Sequence, residues 1–198
     1  MIYDISQEVF SGAVYPGDPS PYKKKLMSID GGNLCNLTGF FMCAHNATHI
    51  DAPYHFYNDG KTVDQLPLEK FVGYAVVLHC EDGIITQTEA GEILGKAKKL
   101  GGRNGSKKIL IGGGCTISES AAKVFADEGL DLIGIEPQSV GNDDSTAMTH
   151  YVLLGKEVIL LEGVRLKDVP EGKYFLAAQP LNLGGLDGAP CRAILIDK

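Results

Sequence analysis

The sequence predicts a single α/β domain, and three observations lead there. The chain has 198 residues with 44% hydrophobic content, enough for one substantial core. From Gly73 onward, short apolar runs alternate with stretches patterned as helices. No repeat, low-complexity tract or linker divides the chain.

Composition narrows the function classes. A net charge of -7 leaves no basic stripe to displace counterions from a phosphate backbone, so no nucleic-acid partner is expected. The run Lys23 to Lys25 reads as a solvated loop. The start, MIYDISQEVF, lacks a basic region followed by an apolar core, and no apolar run is long enough to cross a bilayer. The expectation is a cytoplasmic protein with no membrane partner. Five cysteines, widely spaced and without a CxxC pair, read as reduced thiols.

Met1 to Ile5 alternates apolar and polar residues, as a short strand does. Val14 to Tyr22 (VYPGDPSPY) holds three prolines and a glycine, which predict an ordered loop presenting Tyr15 as packing or as a wall for a ligand. Leu26 to Phe41 reads as β structure around a Gly31-Gly32-Asn33 turn. Asn58-Asp59-Gly60 marks another tight turn. Gly73 to Cys80 is a continuous, β-branched, buried strand, with His79 at its end as a core residue or a site member.

Thr86-Gln87-Thr88-Glu89 has capping-box spacing and opens a helix to Leu100, ended by Gly101 to Gly105. Lys107 to Ile111 is a strand and GGGC a turn. Ser118 to Glu128 is a second helix, with Thr116-Ile117-Ser118-Glu119 offering another capping box. The glycines suit a close backbone approach, and without a GxGxxG or P-loop pattern no nucleotide site is expected. Leu130 to Pro137 is a strand, QSVGNDDSTAMTH a polar loop ending at His150, and Val158 to Leu161 a strand followed directly by Glu162. Tyr174 to Leu183 and Cys191 to Lys198 supply the last strands.

The chemistry concentrates in His45 to His55 (HNATHIDAPYH), which holds three of the five histidines. His45, His49, Asp51 and His55 share odd parity, so an extended segment would project all four from one face. Pro53 disfavours a helix through the second half. Imidazole nitrogens and a carboxylate gathered on one face are a coordination shell for zinc or manganese. Any one of these histidines alone would read as a loop residue bonded to water; the alternation of all four points to a metal. A closing ligand has to come from elsewhere, and Glu162, at a strand end twelve residues after His150, is placed to supply it. Cys43 shares the parity and reads as a small buried hydrophobe or a border of the site.

These residues resemble the metal-dependent cyclase/kynurenine formamidase-like hydrolases, whose pattern is H-x-G-T-H-x-D-x-P-x-H. Only the glycine departs, replaced by Ala47. The resemblance continues at Tyr15-Pro16-Gly17-Asp18, where the family carries Trp-Pro-Gly-Asp, at Gly134-Ile135 with Ser139, at His150 and Glu162, and in DGAPCRAILI near the end.

The resemblance implies a compact domain with a central β-barrel-like mixed sheet flanked by helices, of the swivelling β/β/α kind, in a homodimer or homotetramer. It further implies that His45, His49 and Asp51 hold one ion of zinc or manganese, that Asp51 and Glu162 bridge to a second held also by His150, and that one or two ions are bound per chain. His55 would be the catalytic acid and base, and Tyr15 would face the substrate. A divalent ion lowers the pKa of its water towards about 7 and polarises a carbonyl. His55 could then take the proton and return it to a leaving nitrogen. The expected substrate is a small amide, arylformamide or cyclic amide. A lactone or other small carbonyl compound, or a non-catalytic metal- or ligand-binding role, are the competing readings. The tyrosine in place of tryptophan changes the pocket floor, and the Ala47 methyl, on the metal-facing parity, would shift the ligand backbone slightly.

Overall fold

A computed structural model describes residues 1–105, 107–142 and 146–197. In chain order its strands are β1 (Ile2–Asp4), β2 (Tyr22–Met27), β3 (Leu37–Phe41), β4 (His49–Asp51), β5 (Val72–His79), β6 (Gly83–Ile85), β7 (Lys108–Gly112), β8 (Cys115–Ile117), β9 (Leu132–Ile135), β10 (Ile159–Glu162), β11 (Gly172–Ala177), β12 (Gly188–Pro190) and β13 (Ile194–Ile196). The helices are α1 (Gln87–Gly105), α2 (Glu119–Glu128) and α3 (Thr146–Leu154).

Among the described residues, nine strands form one mixed sheet in the order β1-β13-β11-β5-β7-β9-β10-β4-β12. The centre, β5-β7-β9-β10, is parallel; every other pair is antiparallel. The sheet curls into half a barrel, the barrel-like core expected. Parallel centre strands are buried on both faces, which is why they read as unbroken apolar runs. Val76, Leu78, Ile109, Ile133 and Leu160 pack towards Ala90, Ile93, Phe125 and Leu153 of the helices. Val77, Leu110, Leu132 and Leu161 face the other way, onto Ile5, Ile50, Phe71 and Leu195. Each such side chain, fully buried, contributes about 1.5–3 kcal/mol.

The helix boundaries follow local chemistry. Thr86 N–H donates to Glu89 Oε2 at 2.8 Å and Glu89 N–H returns to Thr86 Oγ1 at 3.3 Å, the expected capping box. Gly102, at φ 62° and ψ -175°, breaks the helical path near the end of α1. The second capping box is a correction: Thr116 lies in β8, and Ser118 caps α2 by accepting from the Ala121 amide at 3.2 Å. The amides after β7 are occupied within the protein, Gly113 donating to Glu136 Oε2 and Gly114 to Asp82 Oδ1, both at 2.6 Å. The loop expected to end at His150 is also corrected, because α3 begins at Thr146 and carries His150 in its second turn; residues 143–145 of that stretch lie outside the described residues.

All five cysteines are free thiols. No helix among the described residues is long and apolar enough to cross a membrane.

Candidate metal centre

The register of β4 against β10 builds the site. His49 and Asp51 are two residues apart on one strand and share a face, and Glu162 pairs directly opposite His49. That face lies under α3, which brings in His150. His49 Nε2 is 3.3 Å from Asp51 Oδ1 and 3.3 Å from Glu162 Oε2. His150 Nε2 is 3.4 Å from Asp51 Oδ2 and 3.4 Å from Glu162 Oε1. A tetrahedron with arms of about 2.0–2.1 Å has edges of roughly 3.3 Å, so the spacing suits ligands around a cation.

The polar bookkeeping agrees. Asp51 Oδ2 is buried without a hydrogen-bond partner, a costly state unless a cation completes it. His49 Nδ1 donates to the Ala47 carbonyl at 3.0 Å and His150 Nδ1 to the Thr146 carbonyl at 2.6 Å, which leaves each Nε2 free as a ligand. Glu162 Oε1 also accepts from the Val140 amide at 2.6 Å. Two triplets, His45/His49/Asp51 and Asp51/His150/Glu162, have donor atoms within 4.8 Å of one another and share Asp51. The residues fit a divalent metal.

Burial pulls the His49 imidazolium down, but the Asp51 and Glu162 carboxylates overcome it and hold the group up to about 9. Against the same burial, the same two carboxylates hold His150 at about 10, and Asp187 with Asp51 hold His45 at about 11. Burial pushes Asp51 up, while His150, His45 and His49 bring it well below the usual carboxylate range. Glu162 is raised by burial and by Asp51 and lowered further by His150 and His49. Without a metal, the cluster is a network of imidazoliums and carboxylates.

The predicted residues converge, but not by the predicted route. His45 to His55 is extended only at His49–Asp51. Ala47 turns the chain left-handed at φ 58°, a conformation that costs a non-glycine residue about 1–2 kcal/mol and favours the glycine of the family pattern. Its methyl packs towards Gly12, where an added Cβ would lie 2.9 Å away. Beyond Pro53 the chain forms a 3₁₀ turn, Pro53–His55. His55 therefore reaches the cluster from a turn, its ring stacked on His45 with centroids 4.1 Å apart.

A cavity of about 300 Å³ opens onto the centre. Tyr15, Asp18, Phe56, Gln138, Ser139 and Thr146 line it together with His45, His49, His55, His150 and Glu162. A larger groove of about 540 Å³, lined by Phe10, Phe40, Met42 and Leu181 among others, contains none of the converging ligands; the chemistry places the site in the smaller cavity. His79 lies elsewhere, donating from Nε2 to the Val169 carbonyl at 2.8 Å.

Asp187 is the residue that reading the sequence missed. β12 pairs with β4, setting Gly188 opposite Asp51, and this carries Asp187 to His45 Nε2 at 2.7 Å and His55 Nδ1 at 3.3 Å. These two contacts hold the Asp187 carboxyl far below its ordinary range. The available signal was its position at the head of DGAPCRAILI, the stretch that resembles the family's ending.

A family model described as "Putative cyclase" matches residues 3–142. Among solved structures, a potential metal-dependent hydrolase with cyclase activity superposes with a TM-score of 0.84 at 28% identity, covering 100% of this chain and 98% of that one. A predicted metal-dependent hydrolase from Bacillus stearothermophilus gives 0.83 at 27%, with the same coverage. Isatin hydrolase A from Labrenzia aggregata, solved with benzyl benzoate, shares the fold at 0.81 and 20% identity, over 100% of this chain and 94% of its own.

Proposed function

This chain belongs to the cyclase family, and from that premise we propose that it is a metal-dependent hydrolase that cleaves the C–N bond of a small amide, arylformamide or cyclic amide. His45, His49, Asp51, His150 and Glu162 would hold one or two ions of zinc or manganese, which match an imidazole and carboxylate donor set. A bound divalent ion would supply Lewis acidity and an acidified water.

The observation that carries the reading is the pairing of His55 with Asp187 at the rim of the metal cluster. A base held by a carboxylate within reach of a nucleophile is the arrangement used for proton transfer. Asp187 accepts from His55 Nδ1 and so leaves His55 Nε2 to take a proton from water and deliver it to the departing nitrogen. Tyr15 and Phe56 offer aromatic walls to a flat substrate, and a cavity of about 300 Å³ suits a small molecule rather than a polymer. Isatin, named for one of the fold neighbours, is itself a cyclic amide, which puts that class in the first screen.

The test is a screen of N-formyl aromatic amines, cyclic amides and lactones against protein reconstituted with zinc or manganese. Turnover of a C–N substrate that disappears on chelation supports the reading. Turnover of lactones alone, or of nothing while metal is bound, rejects it.

A further inference from the structure

Two glutamines tie the turn that carries His45 to distant parts of the chain. Gln7 follows β1 and Gln138 follows β9, and both side chains are partly buried. Gln138 Nε2 donates to the His45 carbonyl at 3.0 Å and to the Ala47 carbonyl at 2.6 Å. Gln7 Nε2 donates to Gln138 Oε1 at 3.2 Å and to the Gly163 carbonyl at 2.8 Å. Gln7 Oε1 accepts from the Ala13 amide at 2.8 Å.

The donor count fixes both carboxamides. A backbone carbonyl only accepts and a backbone amide only donates, so each glutamine has one orientation that satisfies its partners. The two hydrogens on each Nε2 meet two acceptors, and each Oε1 meets a donor. Gln138 has no hydrogen left for His49 Nδ1, 3.3 Å away, which spends its own proton on the Ala47 carbonyl. The pair also fills the space beside Gly163, where an added Cβ would lie 2.6 Å from Gln7 Nε2 and 3.0 Å from Gln138 Oε1.

What the pair holds is a turn under strain. Ala47 sits at φ 58°, which L side chains resist and which persists only where the surroundings over-determine it. If Ala47 relaxed, its carbonyl would swing, and the His49 ring bonded to that carbonyl would lose its bearing. Two residues beyond Gln138, the Val140 amide donates to Glu162 Oε1 at 2.6 Å. The short segment 138–140 thus braces candidate ligands on both sides of the centre.

We infer that Gln138 is a positioning residue for the metal centre: its carboxamide, oriented by Gln7, clamps the left-handed turn at residues 45–47 so that His45 and His49 present their nitrogens to the ion. It acts through the backbone of the ligands. The inference rests on the metal-dependent reading proposed above and adds what preorganises that site.

The test reads zinc affinity, by competition with a chromophoric chelator, and hydrogen exchange in the metal-free full chain. Gln138→Leu removes both donors. Gln138→Glu keeps the shape but sets oxygen against the two carbonyls, and its added negative charge alone would favour a cation, so a loss of affinity there reports position rather than charge. Both should weaken zinc binding about 10–100-fold with unchanged circular dichroism, and both should speed exchange at residues 45–49 several-fold before any metal is added. Because glycine accepts the left-handed conformation without strain, Ala47→Gly placed in the Gln138→Leu chain should recover at least threefold of the lost affinity. Wild-type affinity and exchange in both variants, or a glycine that recovers nothing, overturns the clamp. A wild-type chain that binds no zinc or manganese rejects the metal-dependent reading instead, and the exchange of its metal-free variants still decides whether Gln138 holds the turn: unchanged rates at residues 45–49 overturn it, faster rates support it.

Discussion

His55 Nδ1 lies 3.3 Å from Asp187 Oδ2, although 132 residues separate them in the chain. The same oxygen lies 2.7 Å from His45 Nε2, so one carboxylate touches both a prospective metal ligand and the prospective proton carrier. Removing its charge while keeping its shape should disturb orientation more than binding. Asp187→Asn is expected to lower kcat by about 10–100-fold with KM changed less than threefold, and to distort the pH–rate profile. His55→Ala should lower kcat by about 10²–10⁴-fold with metal content intact by elemental analysis. If His55→Ala retains activity, or loses its metal, the acid/base assignment is wrong.

The carboxylate shared by the two triplets, Asp51, should matter most for metal retention. Asp51→Asn removes a group common to both triplets and should leave less than half the wild-type metal after dialysis. Glu162→Gln touches only one triplet and should cost less. Elemental analysis of matched preparations decides, and an unchanged count in both variants excludes these residues as ligands.

Gly163 holds the ligand backbone in place from beneath. It has φ 70°, and an added Cβ would meet the Ala47 carbonyl at 2.5 Å, the same carbonyl that accepts from His49 Nδ1. Gly163→Ala combines left-handed strain of about 1–2 kcal/mol with overpacking of about 1–3 kcal/mol. A loss of about 2–4 kcal/mol in denaturant unfolding is expected, with weaker metal retention; a loss below about 0.5 kcal/mol would mean that the Ala47 backbone yields freely.

Proton release on metal loading follows from the paired imidazoles. In the metal-free protein His49, His150 and His45 are held at about 9, 10 and 11, above the usual value near 6.5. Stability from these raised groups is complete below about pH 6.5 and fades as pH rises through about 9 and beyond. The lowered carboxylates Asp51 and Glu162 contribute above their usual range near pH 4 and lose that contribution as pH falls. The metal-free protein should therefore melt highest between about pH 5 and 6.5 and lose stability steadily above that. Metal should raise the alkaline limb most, because the ion then replaces protons that alkali would remove. Calorimetry at pH 7 in buffers of different ionisation enthalpy should register protons released per ion bound; an absence of release would contradict the paired network.

The sequence displayed some of this site and concealed the rest for identifiable reasons. His45, His49 and Asp51 were legible because a short local pattern carries them, and Glu162 because it ends an unbroken apolar strand. The straight path through His55 was not, since the left-handed turn at Ala47 and the 3₁₀ turn after Pro53 break a periodicity that the residue types continue. The helix bearing His150 was hidden by its setting. Thr149, His150, Leu153 and Leu154 are all buried, so its polar start reads as loop and no amphipathic stripe marks it. Asp187 is one of 25 acidic residues, and only the pairing of β12 with β4 distinguishes it. In the fold, the parallel strands were plain, whereas the curl of the sheet and the antiparallel flanks depend on long-range pairing.

If these residues hold the ion, the pairing of His49 with Glu162 across β4 and β10 would also make ion uptake a proofreading step for the chain's own assembly. A slip of one residue between these strands would turn His49 and Asp51 towards the layer now occupied by Ile50 and scatter the donors. Misthreaded molecules would then take up no ion and gain none of its stabilisation, so a chelating column or a metal-dependent melting shift should separate correctly registered protein from misfolded protein of identical sequence.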